Sequence, residues 1–75
     1  MEQGFKEENP GLTRRELEVL QAVLEHDTAQ KAADELCIGK RTVDFHLGNI
    51  YDKLQVVNFV QALRRAAQLG LVSFP

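Results

Sequence analysis

The sequence predicts an all-α fold of four short helices, and three observations predict it. Apolar residues recur at intervals of three and four along most of the chain, Thr13, Thr28 and Asn58 stand where helices would begin, and Gly70 stands where the last would end. With 75 residues the chain is one small domain, near the size below which a single core needs help from a metal, a disulfide or a partner.

Residues 1–11, MEQGFKEENPG, are polar, charged and punctuated by Gly4, Pro10 and Gly11, so they read as a flexible tail or linker end ahead of a folded domain at 12–75. Thr13-Arg14-Arg15-Glu16 is a capping box, with Leu12 and Leu17 at the positions of a hydrophobic staple. Leu17, Leu20 and Leu24 then form the expected inward stripe of a helix reaching about His26. Thr28 caps a second helix, Ala29 to about Leu36, with Ala32, Ala33 and Leu36 inward. A third runs from about Lys40 to Leu54. Val43, Leu47, Ile50 and Leu54 fall within one narrow arc of it, which leaves Arg41, Phe45, Gly48 and Asp52 facing directly away and Asp44 and Asn49 on the flanks. Asn58 caps a fourth helix, closed by Gly70 in a left-handed position and by Leu71. Its apolar residues, including Phe59, Val60, Ala62, Leu63, Ala66, Ala67 and Leu69, cover half its circumference. Such a helix either lies deep in a small core or serves the core with one edge and a second subunit with the other.

The second and third helices form a motif. The run AQKAADELCIGKRTVDFHL puts small Ala33 where two helices would cross, with Ala32, Leu36, Ile38 and Val43 around it and a break at Cys37-Ile38-Gly39. Close approach at a steep angle, a short turn and an apolar seal from the second helix define a helix-turn-helix, which points to double-stranded DNA. Charge is less favourable: nine Lys and Arg against eleven Asp and Glu leave −2. The imbalance lies in residues 1–27, which carry −4, whereas residues 28–75, with the motif, carry +2.

Other classes find little support. One cysteine excludes an internal disulfide and fits a reducing, cytoplasmic setting, and two histidines with one thiol give no metal-ligand spacing. No nucleophile, base and oxyanion grouping can be assembled, so no enzyme, cofactor or metal is expected. No apolar stretch is long enough for a membrane.

LTRRELEVLQAV, then CIGKRTVDFHLGNIYDKLQV, then NFVQALRRAAQLGLV, resembles the LuxR/NarL/GerE type of DNA-binding domain over about residues 12–72. The resemblance implies a tetrahelical helix-turn-helix, winged-helix-like but without a wing, in a bacterial transcription regulator. It also implies a third helix in the major groove, a fourth in a two-fold contact, and often an attached receiver or ligand-binding domain. The sequence departs from that pattern at Asp44, where relatives usually carry a basic residue, at Phe45, and at Gly48, which can be basic. It departs again at Ala29-Gln30-Lys31-Ala32-Ala33, where relatives often read Asn-Lys-Glu-Ile-Ala, and at Phe59, in place of the usual Arg.

Candidate DNA contacts are therefore Thr28, Lys31, Lys40, Arg41, Thr42, Asp44, Phe45, Gly48, Asn49 and Lys53, and candidate dimer contacts are Val60, Arg64 and Ala67. Lys40 and Arg41 meet phosphate or base, or are a solvated helix start. Asp44 accepts from cytosine N4 or merely complements the helix dipole. Phe45 meets a thymine methyl, a partner protein, or nothing. His46, beside the buried stripe, is expected to be partly buried and hydrogen-bonded, and Cys37 to be a small packing residue. Gly48 costs a helix about 1 kcal/mol relative to Ala, which points to a collision that a larger side chain would cause. Two functions remain: a DNA-binding regulator, monomeric in dilute solution and weakly dimeric on DNA, or a protein-interaction or antagonist module of the same fold.

Overall fold

The structure, a computed structural model, describes residues 10–74, so the tail expected at 1–9 lies outside the described residues. Among the described residues four helices follow in order: α1 (Arg14–His26), α2 (Ala29–Leu36), α3 (Lys40–Leu54) and α4 (Phe59–Gln68). Their starts follow from the capping chemistry. The Glu16 N–H donates to Thr13 Oγ1 at 3.1 Å while the Thr13 N–H donates to Glu16 Oε1 at 2.9 Å, completing the capping box. Thr28 Oγ1 accepts the Lys31 N–H at 3.1 Å, and Asn58 Oδ1 accepts the Gln61 N–H at 2.9 Å. Helix α3 differs, because its cap is Gly39 and no side chain closes its first turn.

The ends follow backbone conformation. After α4, Gly70 takes φ 73°, its N–H donates to the Ala67 carbonyl at 3.1 Å, and the Leu71 N–H reaches back to Ala66 at 2.8 Å. The other three helices stop on non-glycine residues in the left-handed region: Asp27, Cys37 and Gln55, at φ 72°, 60° and 58°. Cys37 is exposed there, correcting its expected packing role: the left-handed turn swings its side chain off the core.

Helix α1 packs on α2 and α3, and α3 in turn carries α4. Ala32 and Ala33 are fully buried at the α2–α3 crossing, opposite fully buried Val43. Small side chains there let the backbones approach, and Val43, Leu47, Ile50 and Leu54 supply the bulk of the α3 contribution. Burial of each such large side chain stabilises the fold by about 1.5–3 kcal/mol at most.

The Leu17-Leu20-Leu24 stripe of α1 needs correction. The buried arc is Glu16, Val19, Leu20, Ala22 and Val23, with Leu17 and Leu24 half-buried at its edge. A helix gripped by two neighbours buries a broad arc centred between them, and the leucines alone do not mark that centre. Two ties join distant parts of the chain. Lys53 Nζ donates to Glu16 Oε1 at 2.8 Å and to the Gly11 carbonyl at 3.1 Å, and the Gln21 amide brackets Ser73, donating to its carbonyl at 2.7 Å and accepting its N–H at 3.0 Å.

Candidate nucleic-acid interface

Burial of one side of α3 dictates what the other side presents. Arg41, Thr42, Asp44, Phe45, Gly48 and Asp52 are all exposed, and Asn49 is half-buried at the edge. The face thus carries a guanidinium, a hydroxyl, two carboxylates, an aromatic ring and bare backbone. Phe45 is 65% exposed, a large apolar surface to leave in water, and its ring meets that of His46 edge-on with centroids 5.9 Å apart. His46 is partly buried as expected, but its Nδ1 is enclosed and has no hydrogen-bond partner among the described residues. The hydrogen bond expected of it is therefore missing at that nitrogen.

Gly48 also departs from expectation. A Cβ built on it meets nothing within 4 Å, so no part of the described chain requires glycine there.

Both lysines of α3 are paired. Lys40 Nζ lies 2.8 Å from Asp44 Oδ2, one helical turn away, with both side chains about half exposed. Arg41 has no ion pair among the described residues. Lys53, expected among the DNA contacts, is turned instead to the capping box of α1, where its ammonium is shared between Glu16 and Gly11. Its distance of 37 residues from Glu16 hid that pairing from any local pattern.

The Glu16 carboxyl shows the strength of the knot. Burial pushes its pKa up, but the Lys53 hydrogen bond, the Thr13 N–H, the Lys53 charge and the Thr13 hydroxyl together hold it below the ordinary value. Tyr51 is shifted the other way, upward, first by burial and then by the negative charge of Asp44.

Thr28 and Lys31 stand at the exposed start of α2, where the Thr28 hydroxyl is occupied as a cap. On α4, Ala62 and Ala66 are fully buried while Val60 is 63% exposed and Arg64 and Ala67 are exposed, so this helix serves the core with one edge and leaves the other open. The open edge forms a shallow groove of about 450 Å³ lined by Val60, Leu63, Arg64, Ala67, Gln68 and Phe74. Sequence reading missed Phe74, which follows the Gly70 stop and belongs to no helical period. The Gln21–Ser73 pair is what sets it beside α4.

These features define a helix-turn-helix domain with an exposed second helix. The family described as bacterial regulatory proteins, luxR family, matches residues 10–66, and the chain belongs to it. That family is one of regulators, not of enzymes. The chain is 42% identical over 66 residues to the transcriptional activator protein SolR of Ralstonia nicotianae, covering 88% of this chain and 28% of that protein. It is 39% identical over 70 residues to the transcriptional regulatory protein DesR of Bacillus subtilis, covering 93% and 35%. To the spore germination protein GerE of Bacillus subtilis it is 36% identical over 61 residues, covering 81% of this chain and 82% of that one. It therefore spans about a third or less of the length of SolR and DesR but most of that of GerE. No solved structure matches it significantly. Among the described residues no helix is long and apolar enough to cross a membrane.

Proposed function

We propose that this chain is the sequence-specific DNA-binding domain of a bacterial transcription regulator, working in the cytoplasm with α3 in the major groove of double-stranded DNA. The observation that carries the reading is the outer face of α3: one side of a 15-residue helix is sealed into the core and the other is open from Arg41 to Asp52. The major groove, about 12 Å wide, admits such a helix, and the α2 start brings Thr28 and Lys31 to the same motif for backbone contacts. Arg41 supplies phosphate contact, Thr42 and Asn49 hydrogen-bonding groups, Phe45 an apolar surface for a thymine methyl, and bare Gly48 a close approach of the helix to DNA.

The open edge of α4 supports a two-fold contact through Val60, Arg64 and Ala67, weak in free solution because the patch is far below the roughly 1,200 Å² at which stable interfaces begin. Residues 12–75 form the DNA-binding unit, and the greater lengths of SolR and DesR leave room for a receiver or ligand-binding domain in a longer parent.

Selection of bound duplexes from a random pool, followed by fluorescence anisotropy across a salt series, tests this. A shared motif should emerge, and Arg41→Ala should weaken binding to all sequences alike and lower the salt slope by about one counterion. Val60→Asp should leave the monomer helical by circular dichroism and abolish cooperative binding to paired half-sites about one helical turn apart. A folded protein that binds no duplex would instead support the interaction-module reading.

A further inference from the structure

We infer that Lys40 and Asp44 form a latch that couples phosphate contact to the identity of one base, cytosine. The inference rests on the reading of α3 as the helix in the groove and deepens it by naming what the departure at Asp44 does. Lys40 Nζ and Asp44 Oδ2 are 2.8 Å apart in the free protein, on the exposed part of α3. Each is thereby the other's partner. On DNA of arbitrary sequence the pair stays closed, since an Asp44 released from Lys40 would be an unpaired carboxylate facing phosphates. The cation of Lys40 is then neutralised at close range, and Arg41 is the one fully available positive charge in the first turn of α3.

A cytosine opposite Asp44 changes the balance. Its N4 amino group donates to a carboxylate in the major groove, an acceptor that no other base edge satisfies as well except the amino group of adenine, which stands beside a competing N7 acceptor. Asp44 exchanges one donor for another, and the Lys40 ammonium, on its flexible stem, swings to a phosphate oxygen. The protein gains one base contact and one phosphate contact together. The free pair is cheap to open, because an exposed ion pair one turn apart on a helix is worth only a few tenths of a kcal/mol. A weak pair is what a latch needs, since a strong one would hold Lys40 closed on every sequence.

Tyr51 and Phe45 complete the surroundings of Asp44. Tyr51 is a neutral phenol at neutral pH, as any tyrosine is, and burial and the Asp44 charge push its pKa further up, so it adds no second anion. Phe45, the next residue, excludes water from the neighbouring step of the groove.

The experiment uses the whole chain and two probes: the duplex enriched from a random pool by the wild-type protein, and mixed-sequence duplex. The latch predicts a steeper salt slope on the enriched duplex, by about one counterion. Replacing the conserved cytosine of that duplex by 2-pyrimidinone, which lacks the 4-amino group, should cost wild type roughly tenfold in affinity and cost Asp44→Asn far less. Lys40→Gln should weaken the enriched duplex roughly three- to fivefold and leave mixed-sequence binding nearly unchanged, whereas Asp44→Asn should strengthen mixed-sequence binding. Equal losses by Lys40→Gln on both probes, an enriched motif without cytosine, or indifference to the missing amino group would each overturn the latch. Failure of the wild type to enrich any duplex would overturn the DNA-binding reading itself, a different outcome from all of these.

Discussion

Helix α1 starts inside a closed set of bonds, with Thr13, Glu16, Lys53 and Gly11 satisfying one another, whereas α3 starts at Gly39 with no capping side chain and one exposed ion pair. Both are helix beginnings in a chain of 75 residues, under the same need to satisfy free N–H groups. The difference teaches where this domain places its certainty. Groups that hold helices together are turned inward and shared among several partners. Groups at the start of α3 are left with one weak partner or none, and water serves the rest.

The contrast is broken most severely at Glu16. Glu16→Ala removes the capping return bond and leaves a two-thirds-buried Lys53 with the Gly11 carbonyl but no counter-charge, so it should lower unfolding free energy by about 2 kcal/mol, seen as a lower denaturant midpoint at unchanged slope. The exposed pair at α3 should respond far less, with Lys40→Ala and Asp44→Ala each costing under about 0.5 kcal/mol. Equal costs at the two sites would dissolve the comparison.

Acid should act on the same knot more gradually. Because the folded protein holds the Glu16 pKa below the ordinary value of about 4.5 that the unfolded chain keeps, the associated stability is present above that pH and is lost as pH falls through the lower, folded value. Urea midpoints measured down through that window should fall in wild type more than in Glu16→Gln, which has nothing to titrate there. A parallel fall in both would assign the acid sensitivity to other carboxylates.

On α3 the expected effects are gains. Gly48→Ala meets no neighbour and should raise stability by about 0.5–1 kcal/mol, or several degrees in thermal midpoint for a domain of this size. Gly39→Ser should add a few tenths of a kcal/mol, since its φ of −77° and open surroundings accept a side chain that caps the first turn. A loss at either position would show that the α3 start is more constrained than its bonds indicate.

Most of the scaffold was legible in the sequence, because helix limits are set by local chemistry. Thr13, Thr28, Asn58 and Gly70 act within four residues of themselves, and the starts of α1, α2 and α4 and the end of α4 follow from them. The outer face of α3 was legible for the same reason, as the complement of Val43, Leu47, Ile50 and Leu54. Features that depend on remote neighbours were not. Lys53 reads as a free surface cation until α1 is laid across α3, and Phe74 as a stray terminal aromatic until Gln21 pins Ser73. The exposure of Cys37 is hidden from the sequence because a thiol at a turn carries no sign of the left-handed backbone that holds it. Leu17 and Leu24 misled because α1 is gripped from two sides, so its buried arc is broader than the leucine stripe and centred away from it.

The ties made by Lys53 and Gln21 also set an order in time. Apart from them, contact runs mainly between helices that are near one another in the chain, the topology that folds fastest. Lys53 and Gln21 instead bridge 37 and 52 positions, and closing such loops costs entropy before their bonds repay it. The longer tie, from Gln21 to Ser73, is exposed and lies outside the helix packing, so it is expected to form late and open early. The Ser73 amide therefore exchanges its hydrogen with solvent whenever the terminal strap frays, while the Val43 amide, bonded to the Gly39 carbonyl at the heart of the motif, waits for the whole domain to open.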